Sequence, residues 1–301
     1  CRHHAHISTI LNKRYINNKY NAIMSSILQA GNTAVVTGAS SGIGRAAALD
    51  FASKGMNVWL VDVDGDELEL AHQMVMAVKK EDSAQAIEAR VVDVSDCAAM
   101  EELANEVFEK SKAVHFLMNN AGIGSGGGAL ETDMATVQKV MGVNTYGPIH
   151  GCLAFVPKMK EQGSNSVVVN TGSKQGITMP PGNLTYNMSK AALKCYTEGL
   201  CHELMGTSVS AALLIPGWVN TSIALKSMRE KAGDDFDVNS VFFHEAKPAS
   251  GAWMPQQVIE FMISELDQGR FYIVCPDNDV DRITDKLRMT WTMQDITEDR
   301  Q

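Results

Sequence analysis

Short apolar runs and longer amphipathic stretches alternate along most of the chain from Thr33 onward. The short runs are rich in β-branched residues and apolar throughout, as expected for strands covered by helices on both faces. Such alternation predicts parallel strands joined by right-handed crossovers. The predicted strands are Thr33–Thr37, Asn57–Asp62, Ile87–Val92, Val114–Asn119, Ser166–Asn170, Ser208–Ile215 and Phe271–Val274, and the predicted helices are Ile43–Lys54, Asp66–Lys80, Cys97–Lys112, Met134–Lys160, Thr185–Met205 and Pro255–Leu266. We therefore expect an α/β fold: a single doubly wound, Rossmann-type domain with a parallel sheet of seven strands and helices on both faces.

This domain is predicted to span residues 31–276, preceded by an N-terminal extension of residues 1–30 that we expect to be disordered or not native. Residues 1–23 are basic, contain no acidic residue and lack the apolar stretch of a secretory signal. A transit peptide, a tag and translated sequence upstream of Met24 all remain open.

Two further segments depart from the alternation. Residues 218–250 mix charged and aromatic residues and follow the sixth strand, at the sheet edge where open α/β sheets bind ligands. We interpret them as a substrate lid, with a plain surface excursion as the alternative. The C-terminal tail, residues 277–301, either caps the substrate pocket or packs on a neighbouring molecule.

The net charge of −9 argues against nucleic acid or an anionic membrane as a partner. Six cysteines without a CxxC pair indicate reduced thiols, and hence a cytoplasmic location. No apolar stretch is long enough to predict a membrane span. His202 and Glu203 could suggest a metal ligand pair, but a solvated helix face is the better interpretation, so we predict no metal.

A glycine-rich turn connects the first predicted strand to the first helix. Gly38, Gly42 and Gly44 allow a tight turn and a close approach of backbone to a pyrophosphate, beside the free N–H groups of a helix N-terminus. Asp62 ends the second strand, where a carboxylate accepts hydrogen bonds from the adenosine ribose hydroxyls and repels a 2′-phosphate. The sequence therefore predicts a dinucleotide site that favours NAD(H), with a merely flexible loop as the alternative.

Several motifs together resemble those of the short-chain dehydrogenase/reductase family. The glycine turn fits TGxxxGxG, Asn119–Gly122 fits NNAG, Tyr186–Lys190 fits YxxxK and Pro216-Gly217 fits the PG turn after the sixth strand. The resemblance runs from about Asn32 to Gly217, and more loosely to Pro276. The cofactor-binding residues that the prediction and the resemblance together name are Gly38, Ser40, Ser41, Gly42, Ile43, Gly44, Asp62, Asp93, Val94, Asn120, Ala121, Gly122, Tyr186, Lys190, Pro216, Gly217, Val219 and Thr221. The implied cofactor is NAD, and Asn119 is implied to brace the centre of the sheet.

Tyr186 and Lys190 are four residues apart on a predicted helix and therefore share one face. A nearby ammonium lowers the pKa of a tyrosine, which would let Tyr186 act as a general acid/base. Ser173 precedes Tyr186 by thirteen residues, the family's spacing, and its hydroxyl could stabilise an alkoxide. By resemblance, Asn144 is the fourth catalytic residue and holds a water linked to Lys190. A buried capping amide is the alternative for Asn144.

The predicted activity is the NAD(H)-dependent interconversion of a secondary alcohol and a ketone or aldehyde by hydride transfer. The alternative is a non-catalytic protein that binds NAD(H) as a sensor or scaffold. The partner is a small-molecule substrate, whose pocket we expect Met179–Asn183 and the lid to shape. The family resemblance implies a homodimer or homotetramer.

Overall fold

The computed structural model describes residues 23–80, 84–221 and 253–275. Within these ranges, seven strands form one parallel sheet in the order β3-β2-β1-β4-β5-β6-β7. The strands are β1 Thr33–Thr37, β2 Asn57–Asp62, β3 Ile87–Val91, β4 Phe116–Asn119, β5 Ser166–Thr171, β6 Val209–Pro216 and β7 Tyr272–Cys275. The strand order reverses between β1 and β4, and the carboxyl edge at such a reversal is where open α/β sheets bind ligands. The predicted doubly wound, Rossmann-type sheet is thereby confirmed.

Helices cover both faces of the sheet. They are α1 Gly42–Ser53, α2 Gly65–Ala77, α3 Cys97–Ser111, α4 Met134–Met141, α5 Gly147–Glu161, α6 Gln175–Thr178, α7 Leu184–Glu203 and α8 Pro255–Asp267. Two large clusters of buried side chains and a small third one fill the space between the sheet and the helices in the described residues. Val36 packs with Phe51 of α1 in one cluster, whereas its neighbour Val35 packs with Phe155 of α5 in the other. Adjacent residues of a strand point to opposite faces, so both faces of β1 are buried. None of the described helices is both long enough and apolar enough to cross a membrane.

The predicted helix Met134–Lys160 is divided in the structure. A π-helical turn, Gly142–Tyr146, separates α4 from α5, and Asn144 lies in this turn. Such turns are rare and frequently occur at functional sites. The periodicity of apolar residues did not reveal this turn.

The predicted N-terminal extension needs a correction. Residues 23–27 are helical, and both Met24 and Ile27 are buried in the core cluster that contains α1. The side chain of Asn32 donates hydrogen bonds to the carbonyl oxygens of Ser26, at 2.8 Å, and of Ile27, at 3.0 Å. Residues 23–30 therefore belong to the folded domain rather than to an extension, because their apolar side chains complete its core.

The other predictions about the organisation of the chain lie outside the described residues. These are the remainder of the extension, most of the lid at 218–250, and the tail at 277–301.

Candidate active site

The glycines of the turn after β1 occupy positions where a Cβ would be crowded by neighbouring atoms. Gly38 has a φ of 66°, and a Cβ on it would lie 2.8 Å from the Cα of Ala121. A Cβ on Gly44 would lie 2.0 Å from the carbonyl oxygen of Gly38. Helix α1 begins at Gly42, with Ser41 as its N-cap in an extended conformation. The turn thus brings bare backbone and a helix N-terminus to the switch point, the arrangement that binds a pyrophosphate.

The segment after β4 is tied to this turn by hydrogen bonds. The backbone N–H groups of Asn120 and Ala121 donate to Thr37 Oγ1 at 3.0 and 3.1 Å. The Asn120 amide donates to the carbonyl oxygens of Thr37 and Gly38. These bonds fix the loop that carries Ala121 and Gly122 directly beside the glycine turn.

Asp62 lies at the carboxyl end of β2, where it was predicted. One carboxylate oxygen accepts a hydrogen bond from the Ser40 N–H at 3.0 Å. The other accepts hydrogen bonds from the N–H groups of Val63, at 2.8 Å, and Asp64, at 3.3 Å. The side chain is half-buried, so the carboxylate is both oriented by the backbone and accessible. It could accept hydrogen bonds from ribose hydroxyls at this edge.

Asp93 and Val94 follow β3 at the same edge of the sheet. The Asp93 carboxylate accepts hydrogen bonds from the N–H and hydroxyl groups of Ser95, at 2.9 and 2.7 Å. Val94 is buried against Gly147, the first residue of α5. The pair therefore forms a rigid loop at the carboxyl edge.

The segment after β6 closes the cradle from the opposite side. Pro216 accepts a hydrogen bond from the Lys174 N–H, and the Gly217 N–H donates to Cys275 in β7. Val219 is buried, and the Thr221 methyl group lies 3.0 Å from the position of a Cβ on Gly42. The structure thus brings the predicted cofactor residues of the β1, β4 and β6 loops to one place. The bare glycine backbone, the oriented Asp62 and the closing β6 segment fit a dinucleotide.

The Ser173, Tyr186 and Lys190 side chains meet beside this cradle. Ser173 follows β5, and its side chain forms a hydrogen bond with that of Tyr186 on α7. One helical turn later, the Lys190 ammonium lies 5.8 Å from the centre of the Tyr186 ring. Lys190 donates a hydrogen bond to the carbonyl oxygen of Thr171 at 2.8 Å. The structure therefore brings these three predicted side chains together.

Burial controls the proton affinity of Tyr186 and Lys190. It raises the pKa of Tyr186, and the hydrogen bond with Ser173 only partly opposes that shift. Burial also lowers the pKa of Lys190 from 10.5 to about 8. Our sequence-based argument, in which the ammonium lowers the pKa of Tyr186, did not include this desolvation. In the protein without cofactor, the phenol is therefore a weaker acid than the motif predicts.

Asn144 is completely buried and uses its side-chain amide to hold neighbouring segments. Its oxygen accepts from the Ile123 N–H at 2.8 Å, and its nitrogen donates to the Ile123 carbonyl at 2.9 Å and to Ser189 Oγ at 3.1 Å. The Ser189 hydroxyl in turn donates to the Tyr186 carbonyl at 2.7 Å. A Cβ on Gly122 would lie 3.3 Å from the Asn144 oxygen and 3.5 Å from the Lys190 nitrogen. The Asn144 amide is thus buried and fully hydrogen-bonded, and its oxygen lies close to the Lys190 ammonium.

Asn119 has the bracing position implied by the family resemblance. Its amide donates to Asn170 Oδ1 at 2.9 Å, and Asn170 donates to Thr197 on α7 at 3.0 Å. This buried network ties the ends of β4 and β5 to the helix that carries Tyr186.

Sequence reasoning assigned no role to Thr37, Thr171 or Ser189. Thr37 and Ser189 lie inside the TGxxxGxG and YxxxK segments, so the motifs contained the signal without explaining it. Thr171 contributes a backbone carbonyl, which no side-chain pattern reveals.

Comparison with known proteins gives consistent matches. A family model described as short chain dehydrogenase matches residues 32–232. The chain is 38% identical over 204 residues to galactitol 2-dehydrogenase (L-tagatose-forming) of Cereibacter sphaeroides, a match that covers 67% of this chain and 76% of that protein. It is 33% identical over 213 residues to the probable oxidoreductase EphD of Mycobacterium tuberculosis, covering 68% of this chain but only 34% of that protein's length.

A solved structure is also similar along nearly its whole length. The short chain dehydrogenase/reductase of Burkholderia phymatum, crystallised with NAD, superposes with a TM-score of 0.75 at 32% identity. The superposition covers 88% of this chain and 95% of that one. The family model spans most of the chain and includes both the glycine turn and the Tyr186–Lys190 segment. This chain belongs to the short-chain dehydrogenase/reductase family.

Proposed function

We propose that this chain is an NAD(H)-dependent oxidoreductase that interconverts a secondary alcohol and a ketone or aldehyde. The observation that carries the proposal is the hydrogen bond between Ser173 and Tyr186 beside the buried Lys190 ammonium. These groups lie at the carboxyl edge of β5, next to a backbone cradle suited to a dinucleotide. Hydroxyl groups arranged in this way can hold a substrate oxygen and move its proton.

Tyr186 is the proposed general acid/base. It removes the hydroxyl proton of an alcohol or returns a proton to the oxygen of a ketone. Ser173 donates a hydrogen bond to the same oxygen and stabilises the charge that develops on it. NAD(H), when bound, supplies or accepts the hydride.

Lys190 and Asn144 complete the proposed site. The positive charge of Lys190 favours the phenolate form of Tyr186 and offsets the effect of burial, and its ammonium could also donate to the nicotinamide ribose. Asn144 holds Ile123 and Ser189, and so fixes the loop and the helix on either side of Lys190. In this role Asn144 positions the other groups.

The proposed preference for NAD(H) over NADP(H) rests on Asp62. Its carboxylate is held at the end of β2 by backbone N–H groups. The fixed negative charge of this carboxylate repels the 2′-phosphate of NADP(H), and its oxygens accept hydrogen bonds from the ribose hydroxyls of NAD(H).

We also propose that the protein assembles as a homodimer or homotetramer through α5 and α7. A groove of about 480 Å³ lies between these helices and is lined in part by Val156, Tyr196 and Leu200. Leu153 on the same face of α5 is 62% exposed. Replacing Leu153 with arginine is expected to lower the molecular mass measured in solution by light scattering.

The experiment that tests the activity is a screen of secondary alcohols with NAD⁺ and of ketones with NADH, in which turnover is monitored by the absorbance of NADH. Turnover of at least one alcohol–ketone pair supports the proposal. Tight binding of NADH without turnover of any of them contradicts it and favours a cofactor-binding sensor instead.

A further inference from the structure

A chain of hydrogen-bonded side chains lies beside Ser173 and takes no part in the proposed mechanism. Ser125 Oγ donates to Asn183 Oδ1 at 3.3 Å, and Asn183 Nδ2 donates to Gln175 Oε1 at 2.8 Å. The backbone N–H of Gln175 donates to Ser173 Oγ at 3.2 Å. Gln175 is thus fixed through its backbone to Ser173 and through its side chain to Asn183.

The three side chains come from the three segments that surround Ser173 and Tyr186. Ser125 follows β4, Gln175 begins α6 after β5, and Asn183 is the N-cap of α7, three residues before Tyr186. Asn183 also forms an isolated parallel bridge with Gly127 in the β4 loop. Ser125 and Gln175 follow the carboxyl ends of β4 and β5, and Asn183 precedes Tyr186, so the hydrogen-bonded chain lies near the reacting groups.

The direction of the hydrogen bonds determines which group of the Gln175 side chain is left to bind another molecule. Its carbonyl oxygen is occupied by Asn183, so its Nε2 amide group points away from that bond. In the part of the chain that the structure describes, neither N–H of this amide has an acceptor. Each hydrogen bond in a chain polarises the next, which strengthens the donor at the end of the series. Gln175 therefore presents an oriented, neutral, half-buried donor two residues from Ser173.

We propose that Gln175 Nε2 is a specificity-determining donor for a second oxygen of the substrate. The second oxygen is a hydroxyl or carbonyl on a carbon close to the reacting one, so the substrate class is polyols, vicinal diols and the corresponding hydroxyketones. A neutral amide suits a neutral oxygen, and a substrate without it leaves the half-buried N–H groups of Gln175 unpaired. This inference rests on the proposed function, because it assumes that Ser173 and Tyr186 act on an alcohol.

The test compares substrates that differ only in the second oxygen: 2,3-hexanediol against 2-hexanol and 3-hexanol, each with NAD⁺. The wild-type protein is expected to have a kcat/KM for the diol about tenfold or more above that for either mono-alcohol. Gln175→Leu is expected to abolish this preference, mainly by raising the KM for the diol, while the values for the mono-alcohols stay within about twofold. Gln73→Leu, on the exposed face of α2, is the matched control and is expected to change none of them.

A second variant keeps Gln175 and changes only its orientation. In Asn183→Asp the side chain has no donor, so it accepts from Gln175 Nε2 and turns the carbonyl oxygen of Gln175 towards the substrate. A second carbonyl oxygen can only accept a hydrogen bond. Reduction of 2,3-hexanedione relative to 2-hexanone by NADH is therefore expected to fall about fivefold in this variant.

The outcomes separate the two proposals. If the wild-type protein oxidises 2-hexanol and the diol equally well, or if Gln175→Leu keeps the preference for the diol, the role of Gln175 is wrong and the proposed function stands. If no alcohol or ketone of the set is turned over although NADH binds, both proposals are overturned.

Discussion

The Lys190 ammonium donates a 2.8 Å hydrogen bond to the carbonyl oxygen of Thr171, the last residue of β5. This bond ties the helix that carries Tyr186 to the strand that leads into Ser173. Lys190 is only 3% exposed, so its charge is held almost entirely out of water. The bond therefore places a desolvated cation beside the proposed acid/base group. The effect of this desolvation on the free energy of unfolding can be measured.

Burial of Lys190 predicts a pH dependence of stability in the protein without cofactor. The pKa of Lys190 is lowered from 10.5 to about 8, so the folded state binds fewer protons than the unfolded state between these values. The free energy of unfolding contributed by this group therefore rises with pH in that window. We expect wild type to gain about 2 kcal/mol relative to Lys190→Met between about pH 7.5 and about pH 9.5 in urea denaturation.

The control for this prediction is Lys139→Met, in which an exposed lysine on α4 is replaced. The difference between this variant and wild type is expected to stay constant over the same pH range. A constant difference for Lys190→Met as well would mean that Lys190 keeps its ordinary pKa in the folded protein.

Asp62 predicts how cofactor preference can be changed. Asp62→Ala removes the carboxylate that we propose faces the 2′ position, and the kcat/KM ratio of NADP⁺ to NAD⁺ is expected to rise about tenfold or more. Asp64→Ala is the control, because Asp64 caps α2 through the Glu67 N–H. It is expected to lower stability by about 1 kcal/mol without changing the ratio. A wild type that already prefers NADP⁺ would contradict the role of Asp62.

The contact between Gly44 and Gly38 predicts a strict requirement for glycine. Gly44→Ala would place a Cβ 2.0 Å from a backbone carbonyl. We expect a loss of about 1–3 kcal/mol of stability and at least about tenfold weaker NADH binding by fluorescence titration. Gly199→Ala on α7 meets no atom within 4 Å and is expected to stabilise the protein by up to about 1 kcal/mol. If Gly44→Ala and Gly199→Ala had the same stability and the same affinity for NADH, the glycine turn would be able to relax around a Cβ.

The elements of the fold were predictable because their signals are local. The strand Asn57–Asp62 has the same bounds in sequence and structure, since a buried parallel strand is an unbroken apolar run between turn residues. Met24 and Ile27 were misassigned because two apolar residues after a basic segment form too short a pattern to indicate core packing. Their burial depends on packing against α1, a contact between segments distant in sequence that no local signal reveals.

The residues of the candidate site could be predicted from the sequence, but their pKa values could not. The spacing of Tyr186 and Lys190 fixes their helical face, yet the pKa of each depends on burial by residues distant in sequence. The chain of hydrogen bonds from Ser125 through Asn183 to Gln175 was not predicted, because it joins residues distant in sequence and follows no periodicity. Pairwise motifs thus named the proposed reacting groups, and the tertiary structure shows which residues surround them.

Tyr186→Phe measures the central claim most directly. The variant keeps the aromatic ring and removes only the hydroxyl group that is hydrogen-bonded to Ser173. With an alcohol that wild type oxidises, kcat for NAD⁺ reduction is expected to fall about 10²- to 10⁴-fold, while the variant still binds NADH. Tyr196→Phe, ten residues later on the same helix, is expected to retain wild-type kcat. A Tyr186→Phe variant as active as Tyr196→Phe would contradict the assignment of Tyr186 as the general acid/base.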